Sequence, residues 1–210
     1  IIGDEFVVGR TIEAALRRAR REPDMGLCSF DMLGEGARTA ADADRYLQAY
    51  RHAIAALTDD GGPPAADVHA RSSLSIKLSA LHPRYTLPQL VRVRAQLVPR
   101  VIELVRAAAE AGLAITIDAE EADRLEVSMH VIEALARDAA TRDWPGLGIA
   151  IQAYGRRAPA LIEWVLSLAR ATHRRISVRL VKGAYWDAEI KRAQERGLAN
   201  YPVYTRKIST

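Results

Sequence analysis

The sequence predicts an α/β fold organised around a parallel sheet, and three observations predict it. Short apolar runs alternate with stretches of helical spacing along the whole chain. Each run is continuously apolar rather than alternating, which implies burial on both faces, as in a parallel sheet covered by helices. The resulting βαβα order excludes all-α and all-β folds and implies right-handed crossovers. Two architectures satisfy these observations: an open doubly wound sheet, or part of a (β/α)8 barrel.

A first helix is expected at 11–21, followed by a strand in LCSFDML (27–33). Residues 39–58 carry apolar side chains at Ala43, Tyr46, Leu47, Tyr50, Ile54 and Leu57, spacings of three and four that draw one stripe on a helix. DDGGPP (59–64) is a loop by composition. SLSIKLSAL (73–81) is a strand by its apolar, β-tolerant content. Helical spacing returns over 89–111, where Pro99 should kink or split the helix and Gly112 is suited to end it. LAITIDA (113–119) is a strand, 120–138 a helix, LGIAIQAY (147–154) a strand and 158–172 a helix with Pro159 in its first turn. ISVRLVKGAY (176–185) is the fifth strand and WDAEIKRAQERG (186–197) the helix behind it.

The 210 residues, 49% hydrophobic and 27% charged, suffice for a packed core. No run of about 18 apolar residues exists, so no membrane-spanning helix is expected. The net charge of +4 is read as an Arg-rich solvated surface, with Arg17, Arg18, Arg20 and Arg21 on a polar helix face, rather than a nucleic-acid patch. The single cysteine, Cys28, excludes an intrachain disulfide, fits a cytoplasmic setting and reads as a small core residue.

The strands begin bland and end chemically rich. Asp31, Lys77, Asp118, Gln152 with Tyr154, and Arg179 with Lys182 and Tyr185 fall within or at the ends of successive runs. Ligands bind at the carboxyl ends of parallel strands in barrels and open sheets alike. Charges inside strand runs are costly unless paired or facing a ligand. VRLVKGAYWD (178–187) is the densest stretch: two cations, a glycine that permits close backbone approach, two aromatic faces and a helix start that favours anions. Such a set suits a nucleotide-like cofactor.

Other motifs fall away. GEGART (34–39) lacks the third glycine of a dinucleotide fingerprint. The five histidines show no metal-ligand spacing, and Glu126 with His130 on one helix face reads as a surface hydrogen bond. Glu120 and Glu121 at a helix start read as complements to the helix dipole.

Five segments resemble a known family: SIKLSALHPRY (75–85), TIDAEEADRLE (116–126), IQAYGRRAP (151–159), VRLVKGAYWDAEIKRAQ (178–194) and YPVYTRK (201–207). They are similar to the proline dehydrogenase domain of the bacterial bifunctional proline utilization A flavoenzymes, and FDMLGEGAR (30–38) resembles its first barrel strand. The resemblance implies a (β/α)8 barrel binding FAD non-covalently at the strand C-termini. It implies oxidation of L-proline to Δ1-pyrroline-5-carboxylate with hydride passing to flavin N5 and electrons passing to membrane quinone. The parent would then be cytoplasmic or peripheral at the inner membrane.

By the same resemblance, Lys77 pairs with the substrate carboxylate and Asp118 is the active-site aspartate, with Ala119 beside the flavin. Gln152 bonds the isoalloxazine edge, Arg179 stands by flavin N5 and O4, and Lys182, Gly183 and Ala184 form the cofactor turn. Tyr185 lines the proline pocket and Trp186 the adenine end, and Tyr204, Thr205, Arg206 and Lys207 fall in the adenosine and phosphate region. The family's paired arginines that clamp the carboxylate have no counterpart. IIGDEFVVGR lacks an initiator Met and a signal pattern and YPVYTRKIST stops without a closing element, so both ends read as cut, with about the first five β/α units expected to be present and the fragment alone expected to be inactive. The oligomeric state and any aldehyde dehydrogenase or DNA-binding domain of the parent stay open. Two other readings are a lyase or aldolase barrel with a Schiff base on Lys77 and, last, a basic nucleic-acid-binding module.

Overall fold

A computed structural model describes residues 7–34, 36–61 and 67–210. The opening IIGDEF, Glu35 of the GEGART loop and residues 62–66, which include the second half of DDGGPP, lie outside the described residues. So does the side chain of Lys207.

Five strands, β1 (Ser29–Phe30), β2 (Ser73–Ile76), β3 (Ile115–Ile117), β4 (Leu147–Gln152) and β5 (Ser177–Val181), form one parallel sheet in sequence order. Sequence order decides between the two architectures. A doubly wound sheet reverses direction at a switch point, whereas this one winds steadily, as barrel strands do. The result is a half-barrel.

The helices are α1 (Ile12–Arg21), α2 (Ala40–Asp60), α3 (Leu90–Arg92, Val93–Leu97 and Val98–Glu110), α4 (Leu125–Ala136), α5 (Ala158–Thr172) and α6 (Trp186–Glu195). Thr11 caps α1 by accepting the Ala14 N–H at 3.2 Å. Thr39 and Asp42 cap α2 reciprocally, a capping box. In α3 the expected break takes the form of a π turn at Val93–Leu97, closed by the Val98 N–H bonding Val93 O. Pro99, next along, has no N–H to continue the ordinary ladder.

Alternate strand residues face opposite ways. Leu74, Ile76, Ile115, Ile117, Leu147, Ile149 and Ile151 pack into the core between sheet and helices. Each contributes roughly 1.5–3 kcal/mol by leaving water. The other, concave face carries Ser29, Ser75, Thr116, Gly148, Ser177 and Arg179. Bulky branched side chains usually fill a barrel interior; here small hydroxyls do, and they leave room for long polar side chains.

Three expectations are corrected. The strands are shorter than the apolar runs, β1 keeping two residues of 27–33 and β2 ending at Ile76, because the chain leaves the ladder where the polar residues begin. Burial on both faces fails at β5, where Val178 and Leu180 are 44% and 59% exposed, because β5 is an edge strand. Cys28 is half-buried rather than core, its thiol 3.7 Å from Met25 O.

At the opposite end of the sheet, buried Arg174 donates to Leu135 O and Ala136 O at 3.1 Å and to Trp144 O at 3.3 Å. It thereby satisfies carbonyls that the end of α4 leaves without helical partners.

Candidate active site

Four charged side chains alternate in sign along the concave face. Lys77 follows β2 and Asp118 follows β3; the pairing of Ile76 with Ile117 sets them side by side. Lys77 Nζ bonds both oxygens of Asp31 at 2.7 and 2.8 Å and Asp118 Oδ2 at 3.1 Å. Asp118 Oδ1 accepts from Arg179 Nη2, and Arg179 Nη1 reaches Ser75 Oγ at 2.8 Å and Ser29 Oγ at 3.2 Å. Arg179 thus crosses from β5 to β1 and β2. Tyr50, on the apolar stripe of α2, is fully buried and accepts the Lys77 N–H at 3.0 Å, which fixes the backbone under the lysine.

Asp118 is the buried member, with its side chain 8% exposed. Burial and then the charge of Asp31 push its carboxyl above the usual carboxylate value, against the pull of Lys77 and Arg179. Lys77, by contrast, is an ammonium held between two carboxylates. That is the reverse of the desolvated or cation-flanked setting that makes a lysine nucleophilic, and it counts against the Schiff-base reading.

Lys77, Glu120 and Tyr185 border an open cavity of about 450 Å³ at the strand C-termini. Burial raises the Tyr185 phenol above its ordinary value, with Glu120 and Glu121 adding to the effect and Lys77 opposing it. Gln152, at the end of β4, donates from Nε2 to Glu120 O at 2.9 Å and accepts the Ala184 N–H at 3.0 Å. Trp186 Nε1 donates to Tyr204 O at 2.8 Å, so the segment after α6 folds back over the β4–α5 turn, where Gly155 and Val203 pair.

The residues fit a flavin dinucleotide. Arg179 and exposed Lys182 supply cations, Gln152 keeps one amide N–H uncommitted among the described residues, and Tyr185 and Trp186 supply ring faces. The helix start is less suited to a phosphate than the sequence implied, since the first turn of α6 carries Asp187 and Glu189. Among the described residues no group of three or more His, Cys, Asp and Glu could hold a metal ion. Nor is any helix among them long and apolar enough to cross a membrane.

The family model described as proline dehydrogenase matches residues 14–210. The chain belongs to the proline dehydrogenase family. Its relatives include the bifunctional protein PutA of Klebsiella aerogenes, 47% identical over all of this chain and 16% of that protein. A crystal structure of a mutant of Bradyrhizobium japonicum proline utilization A is 53% identical, with a TM-score of 0.86 over 96% of this chain and 20% of that one. The structure of proline utilization A from Bdellovibrio bacteriovorus inactivated by N-propargylglycine is 25% identical, with a TM-score of 0.89 over 99% of this chain and 23% of that one. The chain thus spans about a fifth of the length of these relatives.

Of the residues singled out in the sequence, Asp31, Lys77, Asp118 and Arg179 form one bonded cluster, joined through Arg179 by Ser75 and Ser29. Gln152, Tyr154, Ala184 and Tyr185 form a second, and Trp186 with Tyr204 a third. Thr205 and Arg206 are exposed and stand apart from the first two. Glu126 and His130 do not bond each other; Arg157 lies 3.3 Å from the first and Arg94 3.2 Å from the second.

Glu120 corrects an expectation. It precedes α4 rather than opening it, its side chain is 5% exposed, and it accepts the Ser79 N–H at 3.0 Å and Arg124 Nη1 at 2.5 Å. With Gln152 on its carbonyl, it ties the loops after β2 and β3 to the end of β4. Glu189 was missed: 2% exposed, it accepts the Ala122 N–H at 2.8 Å and locks α6 to the β3–α4 loop. Nothing in its helical setting distinguishes it from a surface glutamate. Ser29 and Ser75 had a usable signal, since each lies two residues before Asp31 or Lys77 in the same apolar run, the spacing of residues that share a strand face.

Proposed function

We propose that these residues form the first five β/α units of a proline dehydrogenase barrel that oxidises L-proline to Δ1-pyrroline-5-carboxylate with FAD. The observation that carries this reading is the Asp31–Lys77–Asp118–Arg179 cluster at the strand C-termini, in a chain of the proline dehydrogenase family. FAD, when bound, supplies the two-electron acceptor that no side chain provides. Lys77 offers its ammonium to the carboxylate of proline, in exchange for the exposed Asp31. Asp118 stays with Lys77 and Arg179 and fixes both cations relative to each other. Arg179 places positive charge where electron density builds on the cofactor ring. Tyr185 walls the cavity and limits water.

In this proposal the remaining barrel units and the arginines that close on the substrate carboxylate come from outside the 210 residues, and membrane quinone takes the electrons. The chain alone is then inactive. The test is proline-dependent dye reduction with added FAD, comparing this chain with one extended by about three β/α units, roughly 90 residues at barrel proportions. The extended chain is expected to turn over and this one not. Turnover by the 210 residues alone would sink the inactivity claim, and none by either would sink the assignment.

A further inference from the structure

Tyr154 lies two residues past the end of β4 and is 5% exposed. Its hydroxyl donates to Gln152 Oε1 at 2.9 Å and accepts the Tyr185 N–H at 3.1 Å. Gln152 Oε1 also accepts the Ala184 N–H at 3.0 Å. The main chain of Tyr154 is committed to the same region: its N–H donates to Lys182 O at 3.0 Å, and its carbonyl accepts the Tyr204 N–H at 2.8 Å. Its ring fills the space in which a Cβ on Gly183 would fall, and Gly183 sits at φ 126. The glycine therefore admits a tyrosine ring, where the sequence had offered close approach to a ligand as its reason. One residue reaches positions 182, 183 and 185 of the turn directly, and position 184 through Gln152.

Two consequences follow from hydrogen-bond capacity. A phenol has one proton to donate, and here it goes to Gln152 while the oxygen accepts from Tyr185. Gln152 Oε1 then faces two donors and Nε2 faces the Glu120 carbonyl, so the amide has one orientation. Gln152 can offer a ligand an N–H and not an oxygen. The turn is also ordered before a ligand arrives, which lowers the entropic cost of binding.

We propose, resting on the flavin reading above, that Tyr154 is a positioning residue for the cofactor: its hydroxyl braces the Gln152 amide, which the Ala184 N–H and the Glu120 carbonyl orient, and holds the 182–185 turn in its binding shape. The ligand edge opposite Gln152 is then an acceptor, a ring carbonyl or ring nitrogen.

Tyr154→Phe keeps the ring against Gly183 and removes only the hydroxyl. FAD is titrated into the 210-residue chain and the variant by flavin fluorescence, with melting of both in the absence of FAD and hydrogen exchange at Ala184 and Tyr185. The variant is expected to bind FAD about tenfold more weakly, the scale of one buried hydrogen bond, and to exchange those two amides faster. Gln152→Glu, which replaces the N–H by an acceptor, is expected to lose more. A lowered melting point with unchanged FAD affinity assigns the hydroxyl a structural role only and overturns the proposal. Should Tyr154→Phe fail to fold, retained FAD affinity in Gln152→Glu overturns it instead. If the 210-residue chain does not bind FAD, the same titrations in the extended chain decide; absence of FAD binding by both unsubstituted chains removes the flavin reading, and this proposal with it.

Discussion

Glu120 offers a severe test of how the site is assembled. Its carboxylate is 5% exposed and accepts one backbone and one guanidinium hydrogen bond, from Ser79 and Arg124. A hydrogen bond to a charged group contributes about 1.5–3 kcal/mol. Arg124 is 30% exposed and keeps Glu121 at 3.3 Å, so on losing Glu120 it regains water and part of its pairing. The Ser79 N–H, in a part-buried position, recovers less. Glu120→Ala should therefore cost about 3 kcal/mol. Glu120→Gln should cost about 1–2 kcal/mol, because one amide oxygen cannot serve two donors that face different oxygens. At a urea slope of about 2 kcal/mol per M, the alanine variant should unfold about 1.5 M earlier. Urea titration followed by circular dichroism reads this directly. An alanine variant within about 0.5 kcal/mol of the unsubstituted chain would refute the claim that the Glu120 carboxylate ties the loop after β2 to the β3–α4 loop.

Two further outcomes are expected. Asp118 has its folded pKa raised from 3.8 by burial and by Asp31, so the folded chain binds the extra proton just above that value. Stability then falls as pH rises from 3.8 through the raised folded value, and Asp118→Asn should flatten that part of the curve. Urea midpoints measured between about pH 3.5 and pH 7 check this, and an unchanged slope in the variant contradicts it. Arg174→Ala should lower stability by about 3 kcal/mol, because buried carbonyls at the end of α4 lose their donor; a thermal melt within error of the unsubstituted chain would show that water replaces the guanidinium at no cost.

Order and type of element were legible because apolar runs and helical spacing report the side that faces the core. Helix α5 begins and ends where the spacing places it. Strand ends were not legible, since an apolar run does not say where the ladder stops: Leu78 and Leu81 are fully buried, yet they lie beyond β2. The charged side chains of the site were visible individually because a charge inside an apolar run is costly. Their partners were harder to see. The Tyr50 hydroxyl, the buried Glu189 and the Glu120 carboxylate lie on helices or loops where an amphipathic residue looks ordinary, and only the fold brings them to the strand ends. Lys77 and Arg179 are more than a hundred residues apart, and both reach Asp118 because β3 lies between β2 and β5 in a sheet wound in sequence order.

The central claim is that the polar ends of these strands are a flavin site. A crystal structure of the chain soaked or co-crystallised with FAD tests it most directly. The account predicts the isoalloxazine ring against the C-terminal ends of the strands, within hydrogen-bonding reach of Arg179 and Gln152, and the adenosine portion beside Trp186. A ring bound elsewhere, or an Arg179 still turned wholly to Asp118, Ser75 and Ser29 and remote from the flavin, would contradict it.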